Sequence, residues 1–192
     1  SFTNHGHMDT DQDAVDIIDG YVAKGWLREF SSHAELAAYV GGTPILNKFA
    51  CLVKEKWDPL SQKTTIKRRL IMDSKRSNVK EASNKEYISI LPRVHDACCD
   101  VMALLDSASE SEHVQMLVLD ATEAFWNIPL RKCERKYYCG MIRRGGPERF
   151  LTYTRTAQGS RGAPLAWAVV FALISRCMLS VLRESRSGSS IL

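Results

Sequence analysis

Residues 117–126 read LVLDATEAFW: three apolar positions run into Asp120, a second acid follows at Glu123, and the segment closes on Phe125 and Trp126. With the residues just before it, VQMLVLD (114–120) has the length and composition of a short buried strand. A strand end fixes the backbone and presents an aspartate at a sheet edge, which is the support a metal ligand needs. Aspartate at a strand end also serves ordinary turns. The flanking sequence therefore decides how Asp120 is read.

Upstream, NKFACLVKEK (47–56) and KRRLIMDSK (67–75) read as two strands around the polar connection WDPLSQKTT (57–65), whose Asp-Pro is a turn signal. Downstream, RKYYCGMI (135–142) and RFLTYTR (149–155) flank RRGGPE (143–148), a hairpin with a Gly-Gly-Pro turn. DAVDIIDGYVAKGWL (13–27) has helical periodicity, with Val15, Ile18, Val22 and Leu27 roughly on one face, and RVHDACCDVMALLDSA (93–108) is helical again. The one long apolar run is APLAWAVVFALISRCMLSVL (163–182). Arg176 and two serines interrupt it and Arg161 and Arg183 flank it, so it is expected as a buried helix rather than a bilayer span, opened by Gly159, Gly162 and Pro164. Helices and strands mix without a βαβ rhythm, which favours an α+β fold.

At 192 residues and 45% hydrophobic, the chain has the material for one domain with a core. Its net charge of +4 conceals segregation: residues 1–47 carry −5, 48–80 carry +7, 81–130 carry −7 and 131–192 carry +9. Basic blocks of that size suit a polyanion such as nucleic acid, although solvated faces have the same composition. Six cysteines (51, 98, 99, 133, 139 and 177) form no CxxC pair and follow no secretory signal, which points to free thiols in a reducing, intracellular compartment. His95 with Cys98 or Cys99 lacks the second ligand pair a zinc site needs. The chain opens on Ser1 without an initiator Met and is read as a piece of a longer one.

The motifs in order (RLIMDSKRSN at 69–78, LVLDATEAF at 117–125, a hairpin, AQGSRGAPLAW at 157–167) resemble the fingers and palm of retroelement reverse transcriptases, over about residues 17–182. The resemblance implies a single partial domain: an N-terminal helical region (about 1–47), fingers strands (48–95), and a fingers and palm portion (96–192). It implies that Arg69 and Asp73 lie on the strand that closes on an incoming deoxynucleoside triphosphate, and that Asn78 ends that motif. Lys54, Lys56, Lys67 and Lys75 join them at the triphosphate or template. Asp120 is implied as the first catalytic aspartate, a ligand of two magnesium ions. The backbone of Ala121, Glu123, Ala124 and Phe125 cradles the triphosphate, and no catalytic role falls to Glu123 itself. Phe125 lies under the sugar and excludes a 2′-hydroxyl. Gln158 and Gly159 adjoin the 3′ end and the template base, and Arg161, Gly162, Ala163 and Pro164 open the helix behind. The reaction implied is magnesium-dependent addition of deoxynucleotides to a primer on an RNA or DNA template, with no membrane partner.

Two departures stand out. Lys75 occupies a place where the family usually has arginine, which keeps the charge but loses the bidentate fork. No aspartate follows Asp120, so the family's Asp-Asp pair is absent and the 192 residues alone are expected not to polymerise. The competing expectation is a non-catalytic nucleic-acid-binding remnant.

Overall fold

Polar residues at the right places start and stop the first elements of the chain. Asp11 caps α1 (Gln12–Ala23) by accepting a hydrogen bond from the backbone of Asp13, and Gly25, at φ +70°, turns the chain out of the helix. Leu27, expected on the helix, instead begins strand β1 (Leu27–Phe30), because the glycine turn intervenes. Ser32 caps α2 (His33–Val40) and Gly41, at φ +68°, ends it. Two long strands follow, β2 (Leu46–Asp58) and β3 (Lys63–Asp73), and then a short helix, α3 (Val79–Ala82). After α4 (Val94–Ser107) come two 3-10 helices, Ala124–Asn127 and Lys132–Tyr137, the hairpin β4 (Cys139–Ile142) and β5 (Arg149–Tyr153), and α5 (Ala163–Gly188).

The structure is a computed structural model that describes residues 2–6, 8–83, 93–111, 113–114, 119–143, 146–156 and 158–188. The strands form one mixed sheet in the order β1-β5-β4-β2-β3, giving an α+β fold. Among the described residues every pairing is antiparallel except β2 with β4, where Leu46 and Asn47 lie beside Cys139 and Gly140. Both expected strand pairs are present with shifted bounds: β2 and β3 take in Trp57, Asp58 and Lys63 to Thr65 of the expected connection, and Arg135 to Tyr137 of the expected strand are 3-10 helix.

Alternation along β4 and β5 explains where the core sits. Leu151, Tyr153 and Ile142 join Ile18, Leu27, Phe49, Leu70 and Met72 in the cluster that packs with α1. Phe150, Cys139 and Met141 join Leu36 and Val40 of α2 in a second cluster. Helices thus bury both faces of this part of the sheet, which is why β4 is apolar throughout.

The parallel joint between β2 and β4 is held by Asn47, which is almost fully buried. Its amide donates to the carbonyls of Tyr137 (2.8 Å), Cys139 (3.1 Å) and Ile45 (3.2 Å), and the Ser77 hydroxyl donates to its Oδ1 (2.5 Å). A buried amide with all these partners is stable, and one without them is costly. Just beyond this joint, Asn4 and His5 take over the edge of β2: the Phe49 amide donates to Asn4 Oδ1 (2.9 Å), and the His5 amide donates to the Phe49 carbonyl (3.0 Å).

Three expectations need correction or lie elsewhere. α5 is helical as expected but not buried: Val169, Leu173, Ile174, Leu179 and Val181 are exposed, and from 163 to 181 only Ala163 is buried. Apolarity all round a helix signals a need for burial but not the presence of a covering surface. By length and composition, Ala163–Val181 could cross a membrane, with mean hydropathy 1.8. The expected strand at 114–120 falls largely on residues 115–118, outside the described residues, and Leu119 and Asp120 have no regular structure. The expected turn segment RRGGPE (143–148) likewise includes two residues, 144 and 145, outside them.

Candidate nucleotide and nucleic-acid interface

The outer halves of β2 and β3 leave the core as a two-stranded ribbon with both faces in solvent, from about Leu52 to Lys67. Directly opposed residues of an antiparallel pair share a face. One face therefore carries Lys54 opposite Lys67, Lys56 opposite Thr65, Asp58 opposite Lys63, and Leu52 opposite Arg69. The other carries Val53 opposite Arg68, Glu55 opposite Ile66, and Trp57 opposite Thr64. Period-two alternation has sorted the charge, so that Lys54, Lys56, Lys63, Lys67 and Arg69 lie together against Asp58 alone. Lys54 and Lys67 are like charges placed directly across from each other, an arrangement that a bound polyanion relieves.

At the inner end of this ribbon Asp73 is tied into the fold. Its carboxylate accepts from the Lys75 amide (2.9 Å) and meets His5 Nε2 (2.8 Å). The Lys75 backbone hydrogen bond holds its carboxyl below the usual range; burial opposes it and the contact with His5 adds to it. A depressed folded-state pKa contributes stability that is present above the unfolded value, about 3.9, and is lost as pH falls through the folded value. Asp73→Asn should therefore lower the melting temperature at neutral pH and flatten its fall on acidification. Parallel melting curves for the two proteins from pH 7 down to pH 2 would count against this.

The segment after β5 brings other sequence-expected residues to the same place. The Met72 amide donates to the Gln158 carbonyl (3.3 Å), so the loop lies against the edge of β3. Gly159 has φ +98°, and a Cβ there would stand 2.4 Å from the Met72 carbonyl oxygen, so the close approach requires glycine. Three residues before Gly159, the buried Thr156 donates through Oγ1 to the Phe125 carbonyl (2.5 Å). Phe125 itself is half-buried, in the 3-10 turn that follows Ala121 and Glu123.

That turn is anchored from below and from the side. Trp126 is buried, stacked on Trp26 (centroids 4.9 Å apart, planes at 10°) and on Tyr153 (5.6 Å, 21°). Glu123, at φ +56°, pairs with Lys24 (3.2 Å), whose ammonium also lies 4.2 Å from the Trp26 ring centroid. The roles of Trp126, Thr156 and His5 were not seen in the sequence. The Ala-Phe-Trp pattern was a usable sign of the first, since one of two adjacent aromatics must face inward.

A cavity of about 560 Å³ opens beside this region, lined among others by Asn78, Val79, Glu134, Tyr137, Tyr138 and Gly162. Asn78 and Gly162 are thus brought together, and Arg161 donates to the Lys80 carbonyl nearby (3.4 Å). Ala124 belongs to the 3-10 turn, Lys75 is exposed after β3, and Pro164 is exposed in the first turn of α5. Lys54, Lys56 and Lys67 lie farther out along the ribbon. Asp120 is exposed, beside the residues outside the description.

The described donors do not make a magnesium cluster. Among the described residues no group of three His, Cys, Asp or Glu could hold a metal ion, and no aspartate follows position 120. Asp120 offers one hard oxygen ligand of the kind magnesium takes, without the carboxylate partners a two-ion site needs. All six cysteines are free, and His95 and Cys99, one turn apart on α4, approach to 3.7 Å. Compared with known proteins, the chain matches no protein-family model and no curated protein.

Proposed function

We propose that this chain forms the fingers and the Asp120 side of the palm of a retroelement reverse transcriptase, whose complete form adds deoxynucleotides to a primer on an RNA or DNA template. The observation that carries the reading is the hydrogen bond from Met72 to Gln158. It joins the strand bearing Arg69 to the loop bearing Gln158, two motifs nearly ninety residues apart in sequence. On this reading the basic face of the ribbon grips phosphates, Phe125 lies under the sugar, and the Gln158–Gly159 loop adjoins the base. Asp120 supplies one magnesium ligand. Among the described residues it has no partners for a two-ion site, so no chemical step is assigned to this chain on its own.

What the ribbon can do without further groups is bind a polyanion. A primer–template duplex should bind mainly through its phosphates, with affinity falling steeply as salt rises and changing little with sequence. A titration of labelled duplex at several salt concentrations measures this. Weak salt dependence, or strong preference among sequences at equal salt, would overturn the assignment of the basic face.

A further inference from the structure

We infer that Thr156 is a positioning residue for Phe125. This rests on the proposed reading of Phe125 as the residue beneath the nucleotide sugar. Thr156 is buried, with 6% of its surface exposed, and a buried hydroxyl needs an acceptor. The acceptor is the Phe125 carbonyl at 2.5 Å, which also accepts from the Ile128 amide at 3.2 Å. The Thr156 amide in turn donates to the Ile128 carbonyl (2.8 Å), so both ends of the 3-10 turn are fastened to one residue.

Along the same segment, Leu130 donates to the Thr154 carbonyl (2.9 Å), Pro129 bridges Arg155, and Gln158 accepts from Met72. Thr154, Arg155 and Thr156 are thus each tied to the chain that leaves the 3-10 turn. A phenylalanine ring is placed by its backbone and two torsions with few preferred values, so holding its peptide limits the ring to a few positions. Discrimination by a ring edge against one hydroxyl is sensitive to placement by fractions of an ångström.

The test is the ratio of dATP to ATP affinity, each with magnesium, for the purified chain by calorimetry. Four proteins are compared: wild type, Phe125→Ala, Thr156→Val, which keeps the shape and removes the donor, and Thr156→Ser, which keeps the donor. Wild type is expected to favour dATP, and Thr156→Val to lose up to about tenfold of that preference, the range one hydrogen bond spans. Thr156→Ser should restore it even if its melting temperature is lower. If Phe125→Ala loses the preference while Thr156→Val keeps it, Thr156 is only structural and the inference fails alone. If wild type binds neither nucleotide, or binds both equally, the reading of Phe125 fails and takes this inference with it.

Discussion

Replacing Gly140 by alanine should cost about 3 kcal/mol of stability, since overpacking a filled core runs to that order. The added Cβ would lie 2.4 Å from both Cε2 and Cζ of the Phe49 ring and 3.1 Å from the Asn47 carbonyl oxygen. Phe49 is fully buried and packs near Tyr153, with ring centroids 6.1 Å apart, so the ring has no room to withdraw. Gly140 also sits on the parallel joint of β2 and β4, which pairs only two residues, so relief by sliding β4 would break that joint. For a domain of this size the melting temperature should fall by roughly 6–12 °C. A melting curve followed by circular dichroism measures the shift, and a change within about 2 °C of wild type would mean that the ring yields.

The largest expected effect on binding comes from the ribbon. Lys54→Gln, Lys56→Gln and Lys67→Gln together remove three charges from one face without touching the core, because all three are exposed. Duplex affinity at low salt should drop on the order of 100-fold, and the slope of log affinity against log salt should shrink by about one for each lysine lost. A matched variant, Val53→Glu, Thr64→Glu and Ile66→Glu, changes the net charge equally on the opposite face of the same ribbon. It should lose much less. Equal losses from the two variants would mean that net charge alone, not the sorted face, drives binding.

The legibility of this chain differs from element to element for physical reasons. The β2–β3 hairpin could be read because alternation and an Asp-Pro turn are local signals, and β4–β5 because its turn residues are equally explicit. β1 was missed: four residues with one fully buried side chain give alternation too little length to show. α2 is not among the expected helices, although its signals are present. Ser32 accepts from the Glu35 amide (3.2 Å), the Glu35 side chain accepts from Ser31 (3.0 Å), and Gly41 closes the helix. α5 is legible as a helix but its exposure is not, since composition reports what a helix would bury and not what lies beside it.

The same division holds for the site. Gln158 and the Arg69 strand could be linked only through the resemblance, since the hydrogen bond between their segments is a backbone contact that no side-chain pattern encodes. Gly159 is the exception in part. A glycine after Gln158 marks a tight turn or close approach, and the Met72 carbonyl supplies the approach. His5 could not be anticipated, because its partner Asp73 is distant in sequence and the segment around it has no regular structure.

The most direct test of the account is to map where a deoxynucleotide lies. The chain is mixed with magnesium and dATP carrying a photoreactive azide on the base, irradiated, digested, and its modified peptides identified by mass spectrometry. The account predicts adducts on the peptides that contain residues 121–127 and 156–162, suppressed by excess unmodified dATP. Adducts confined to the lysines of the ribbon, or spread over the chain and unaffected by competitor, would contradict it.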